Sequence, residues 1–145
     1  MVAQDQSCVA LWRALFRASR LVEDRVRRST EARGLGPSDF GVLDALRERG
    51  PLPVNVLGEL VSLTSGSITT AVDRLSQRAL VIRRSSKEDS RSKLVDLLPA
   101  GRHLIACAAA DHAKAVTDAL SALTSRERRE ALALLTKLTT GLLVD

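Results

Sequence analysis

Residues 63–84, LTSGSITTAVDRLSQRALVIRR, change character twice within one short stretch. Small residues open it (Thr64, Ser65, Gly66, Ser67 and Thr69), interrupted only by Ile68. These are weak helix formers, because they compete for backbone hydrogen bonds or leave the backbone too free. Yet Ile68, Val72, Leu75 and Ala79 follow at helical spacing. Thr64 is a good N-cap, so a helix is expected from there to about Gln77 or Arg78. The period then shortens. Leu80, Val81 and Ile82 read as a strand, SSKEDSRSK (85–93) as a polar turn, and LVDLL (94–98) as a returning strand. A capped helix running straight into a charged β-hairpin leaves few architectures open.

The flanking segments are helical. Residues 8–31 carry a broad apolar stripe of Val9, Trp12, Leu15, Phe16, Val22 and Val26. GLGPS (34–38) breaks that helix, and Pro37 or Ser38 starts another that buries Phe40, Val42, Leu43 and Leu46. RGPLP (49–53) stops it, and 54–61 form a short helix around Val56, Leu57, Leu60 and Val61. Pro99 suits the first turn of a further helix, and Thr124 with Glu127 makes a capping box for a last, leucine-rich one. Two short helices at a tight turn with a hairpin behind them make a winged helix-turn-helix. The fold class is therefore mainly α, with a small β-hairpin wing and dimerisation helices at both termini. A single domain is expected over 1–145, with the winged lobe at 34–98 and the helical part at 1–33 plus 99–145.

Composition fits that reading. Of 145 residues 45% are apolar but only 2% aromatic, so Leu, Val and Ala must build the core, which suits packed helices. No apolar run approaches the ~20 residues of a membrane span, and no signal-peptide pattern opens the chain. Two distant cysteines, Cys8 and Cys107, suit a reducing cytoplasm. The net charge of +5 is uneven: residues 62–103 hold eight Lys/Arg against four Asp/Glu, while residues 104–145 balance at five each. A basic middle beside a neutral end points to a local anionic partner. Leucines cover more than one face of the last helix, and Trp12 and Phe16 lie near the other terminus. Joined across a two-fold axis, Trp12, Phe16, Leu135, Leu138 and Leu142 would make a dimer interface; packing within one chain is the alternative.

The order of elements, with GLGPSDFGVLDAL, LGELVSLTSGSITTAVDRL and LVIRRSSKEDSRSKLVDLLPAGRHL, resembles the MarR family of bacterial transcriptional regulators. Specific motifs cover about residues 34–104, the D-x-R of Asp89 and Arg91 before PAG being the most distinctive. The resemblance implies a homodimer on double-stranded DNA, repressing from a pseudo-palindromic operator and released by a small-molecule effector. There are two departures: Ala79 stands where the family usually has glycine, and Leu98 replaces a common threonine before PAG.

The weak helix formers now acquire a purpose. The first turn of a recognition helix enters the major groove, where small residues permit close approach and free N–H groups suit phosphate oxygens. Ser65, Gly66, Ser67, Thr69 and Thr70 form that turn, and Arg74 and Gln77 extend the groove-facing side. Hydroxyls discriminate bases weakly, so the wing must supply charge. Lys87, Arg91 and Lys93 cluster there, with Arg83 and Arg84 placed for phosphates. By the resemblance, Arg91 inserts into the minor groove and Asp89 holds its guanidinium. The plain alternatives are a capped turn and a solvated loop, and a winged module that binds proteins instead of DNA.

Other chemistry is thinly supported. His103, Cys107 and Asp111 share a helix face, but a packed cysteine beside a solvated histidine is the simpler reading than a metal site, and no further ligand is evident. Cys8 could sense oxidants, although the chain has no tyrosine to support a thiolate as such sensors do. No cofactor motif or catalytic constellation stands out, so an enzyme is not expected.

Overall fold

The computed structural model describes residues 6–85 and 93–143. The elements in chain order are α1 (Gln6–Glu31), α2 (Pro37–Arg49), β1 (Leu52–Pro53), α3 (Val54–Leu60), α4 (Ser65–Gln77), β2 (Val81–Ser85), β3 (Lys93–Leu97), α5 (Pro99–Ala119) and α6 (Ser125–Leu142). They fall into two compact units, residues 26–113 and residues 1–25 with 114–145.

The unit 26–113 holds the core. Leu43, Leu57, Ile68, Val72, Leu75, Val95 and Ile105 are fully enclosed, with Leu35, Val42, Leu46 and Val81 around them. On α4 the inward positions are Ile68, Ala71, Val72 and Leu75, the spacing that helical period demands. The outward positions therefore carry the hydroxyls and charges. The tight turn between α3 and α4 is closed by Gly58, where an added β-carbon would meet an Ile68 methyl at 3.2 Å.

The helix ends are built locally. Thr64 Oγ1 accepts the Ser67 N–H at 3.2 Å and so caps α4. At the other end Leu80 N–H donates to Leu75 O and Ala79 N–H to Ser76 O, a Schellman closure that puts Ala79 at φ 54. The same closure ends α3, through Leu63 N–H to Gly58 O with Ser62 at φ 55. It also ends α1, through Leu35 N–H to Thr30 O with Gly34 at φ 71. Thus α4 stops without the expected glycine, at the cost of a left-handed alanine.

The sheet is three-stranded and antiparallel, in the order β1-β3-β2. Two features differ from expectation. The segment taken only as a breaker contains β1, whose Leu52 pairs with Val95 and Pro53 with Leu94. Proline is tolerated there because β1 is an edge strand, with β3 its one partner among the described residues. The wing strands also shift outward. Leu80 belongs to the α4 closure and not to β2, while Arg83 and Arg84 pair with Val95 and Leu94. Ladder bonds use backbone only, so polar side chains do not end a strand.

The other unit has no such interior. Among the described residues α6 buries none, and α1 buries only Thr30, which lies in the first unit. Trp12 and Phe16 stack with ring centroids 6.1 Å apart yet stay 64% and 57% exposed. Leu135, Leu138 and Leu142 are exposed too. α6 itself is well started, with both halves of the Thr124–Glu127 capping box formed. No described helix is long and apolar enough to cross a membrane.

Candidate nucleic-acid interface

The start of α4 is an open surface. Ser65, Gly66, Ser67, Thr69 and Thr70 are exposed, and a β-carbon at Gly66 would meet nothing within 4 Å. No packing among the described residues explains the glycine. Several hydroxyls are already committed as donors: Thr69 Oγ1–H to Ser65 O at 2.8 Å and Thr70 Oγ1–H to Gly66 O at 3.0 Å. Outward, these two threonines therefore offer lone pairs and methyl groups. Thr64 Oγ1–H donates to Ser67 Oγ at 2.9 Å, which leaves Ser67 its own proton.

The charged residues are less free than the sequence suggested. Arg74, expected to reach toward a groove, lies against Asp39 at the start of α2. Its Nε donates to Asp39 Oδ1 and Oδ2 at 3.0 and 3.1 Å, and its Nη2 donates to Oδ1 as well. Asp39 is only 4% exposed. Its hydrogen bonds first, and its charge second, hold the Arg74 guanidinium above the ordinary arginine range. One turn on, Arg78 Nη1 donates to Gly34 O at 3.0 Å and lies 3.6 Å from Asp39 Oδ2.

The root of the wing repeats the pattern. Arg83 Nη2 bonds Asp73 Oδ1 at 2.7 Å, joining β2 to α4. Arg84 and Arg102 both lie near Asp96, at 3.6 and 3.2 Å. Lys93 is exposed at the start of β3, opposite Ser85, and Gln77 is exposed near the end of α4. The expected wing residues Lys87, Asp89 and Arg91 lie outside the described residues. Sequence reasoning missed Asp39, Asp73 and Asp96 as partners of the arginines, and Arg78 and Arg102 with them. Asp39 and Arg74 are 35 residues apart, so no local spacing connects them.

The other candidates are placed as follows. Cys107 Sγ and His103 Nε2 are 4.0 Å apart, but Asp111 is taken by Arg33 Nε at 2.6 Å. His112 stacks on Phe40 with ring centroids 4.7 Å apart. Cys8 is exposed on α1.

Residues 33–92, which contain α2 through β2, match the sequence model of the MarR family. The HTH-type transcriptional regulator MhqR of Bacillus subtilis (strain 168) is 33% identical over 122 residues, 84% of each chain. The chain belongs to the MarR family. Solved MarR-family structures share its fold. A mutant MarR from E. coli complexed with operator DNA superposes with a TM-score of 0.79 at 20% identity, over 94% of this chain and 98% of that one. A Mycobacterium tuberculosis MarR family protein in complex with p-aminosalicylic acid gives a TM-score of 0.71 at 26% identity, over 89% and 98%. Within the MarR-family winged-helix fold, α3 and α4 are the two helices of the helix-turn-helix and the β2–β3 hairpin is the wing.

Proposed function

We propose that this MarR-family protein is a homodimeric, sequence-specific repressor that binds a pseudo-palindromic operator in double-stranded DNA and is released by a small-molecule effector. The observation that carries the reading is the first turn of α4. It is capped, exposed and small, and it holds a glycine that nothing among the described residues requires. Such a turn admits a bulky partner to the backbone, where free N–H groups suit phosphate oxygens.

The remaining support is of three kinds. The basic middle of the sequence supplies counter-charge for phosphates, Lys93 being exposed at the start of the wing strand β3. The bare leucines of α6 and the exposed Trp12 and Phe16 ask for a second copy to cover them. The neighbours whose structures hold operator DNA and an aromatic acid argue by kinship for an operator and an effector.

The test is a salt titration on duplex DNA selected from genomic fragments. Affinity should fall steeply with salt, because each neutralised phosphate releases counterions. Arg91→Ala should weaken binding to all sequences alike and flatten the log–log slope by about one. Inverted repeats should recur in the bound fragments, with half-site centres about one helical turn apart. Absence of salt-dependent binding would remove the DNA reading and bring protein–protein docking forward.

A further inference from the structure

We propose that Asp39 is a positioning residue for operator recognition: its single carboxylate seats α4 through Arg74 and Arg78 and presents the free side of the Arg74 guanidinium to DNA. This rests on the DNA-binding reading above and adds a residue outside the recognition helix to it. Three observations lead there.

First, the carboxylate is buried while its partners are not. Asp39 is 4% exposed and the Arg74 side chain 47%. Exposed ion pairs contribute little, but a buried carboxylate stripped of its partners is strongly destabilising to its surroundings. The pair therefore holds its geometry.

Second, the bonds use one edge of the guanidinium. Nε and Nη2 face Asp39, and Nη1 has no hydrogen-bond partner among the described residues. Arg74 follows Ser67 and Thr70 and precedes Gln77 at intervals of three and four, so all four share one helix face. An arginine gripped along its Nε edge has lost its rotamer freedom in advance. Its outer fork can then meet a guanine edge or a phosphate without further ordering.

Third, Arg78 makes the attachment two-pointed. It lies against the same carboxylate and also bonds Gly34 O in the α1–α2 connection. Two arginines one turn apart on one anchor resist rotation of α4 about its axis, which a single pair would not.

A negative charge beside a DNA-binding face opposes phosphates, and this separates the proposal from simple electrostatics. Asp39→Asn keeps the shape and removes the charge. Non-specific affinity should then hold or rise, while affinity for the selected operator falls roughly tenfold. On an Arg74→Gln background the Asp39→Asn change should cost operator affinity far less than it does in the wild type, since Asp39 acts through Arg74. On the free protein, amide exchange in residues 65–77 should quicken in Asp39→Asn relative to α5. Parallel rises in operator and non-specific affinity, or unchanged exchange in α4, would overturn the proposal. If the wild-type protein binds no duplex DNA, the repressor reading falls, and unchanged or quickened exchange still decides whether Asp39 seats α4. Should Asp39→Asn fail to fold, Arg74→Gln takes its place in the exchange measurement with the same two outcomes.

Discussion

Gly101 on α5 and Leu80 at the end of α4 are in backbone contact: a β-carbon at Gly101 would lie 2.1 Å from the Leu80 carbonyl oxygen. That oxygen cannot retreat, because it accepts the Leu98 N–H at 2.9 Å just before α5 begins. The glycine of PAG is thus a packing requirement at the point where α4, the sheet and α5 meet. Gly101→Ala should cost about 3 kcal/mol by overpacking and lower the melting temperature by roughly 10 °C. A melting curve superimposable on wild type would refute the close approach.

Ala79 occupies the left-handed position that closes α4, with φ 54. An L-residue there is strained by contact between its β-carbon and the backbone. Ala79→Gly should relieve the strain and stabilise by about 0.5–1 kcal/mol, whereas Ala79→Val should destabilise. Chemical denaturation midpoints for both variants check the sign. Neither residue change alters the exposed face of α4, so DNA affinity should track wild type.

Leu138 is 47% exposed on a helix with no buried residue among those described. If a second copy covers it, sedimentation of the wild type at micromolar concentration will give a dimer. Leu138→Asp should then shift the equilibrium to monomer by more than tenfold in dissociation constant. It should also lower melting temperature and operator affinity together. A wild-type protein that stays monomeric would end the dimer proposal.

Glu127 accepts the Thr124 N–H at 2.7 Å and the Thr124 hydroxyl at 2.8 Å. The backbone bond first, and the hydroxyl bond second, hold its carboxyl below the ordinary glutamate range. A depressed carboxyl stabilises the folded state fully above its unfolded pKa, about 4.3, and loses that contribution as pH falls through the lower folded value. Amide protection in the first turn of α6 should therefore be flat from neutral pH down to about 5 and decline below about 4. Glu127→Gln keeps an acceptor and cannot titrate, so its protection should not follow this curve. Equal profiles for the two proteins would show that the capping box is not the titrating element.

The local part of this protein was legible in its residues. Thr64 and Thr124 declared the caps of α4 and α6, and the 3.6-residue rhythm of Ile68, Val72 and Leu75 declared which face of α4 turns inward. The change of period after Ala79 announced the hairpin, although its strands run further along polar residues than hydrophobic pattern can show. Even the back-bonding of Thr69 and Thr70 follows a local rule, since a threonine hydroxyl inside a helix lies within reach of the carbonyl four residues before it. Tertiary structure alone decided what the charges do. Asp39 meets Arg74 across 35 residues and Asp111 meets Arg33 across 78, and nothing in either neighbourhood encodes the meeting. Likewise β1 is a strand only because β3 lies beside it, and Gly101 is needed only because Leu80 comes so near. Periodicity and capping are properties of a segment and its own backbone, so a sequence states them directly. Ion pairs, edge strands and close backbone approaches are properties of two segments at once, and they come into being when the core brings those segments together.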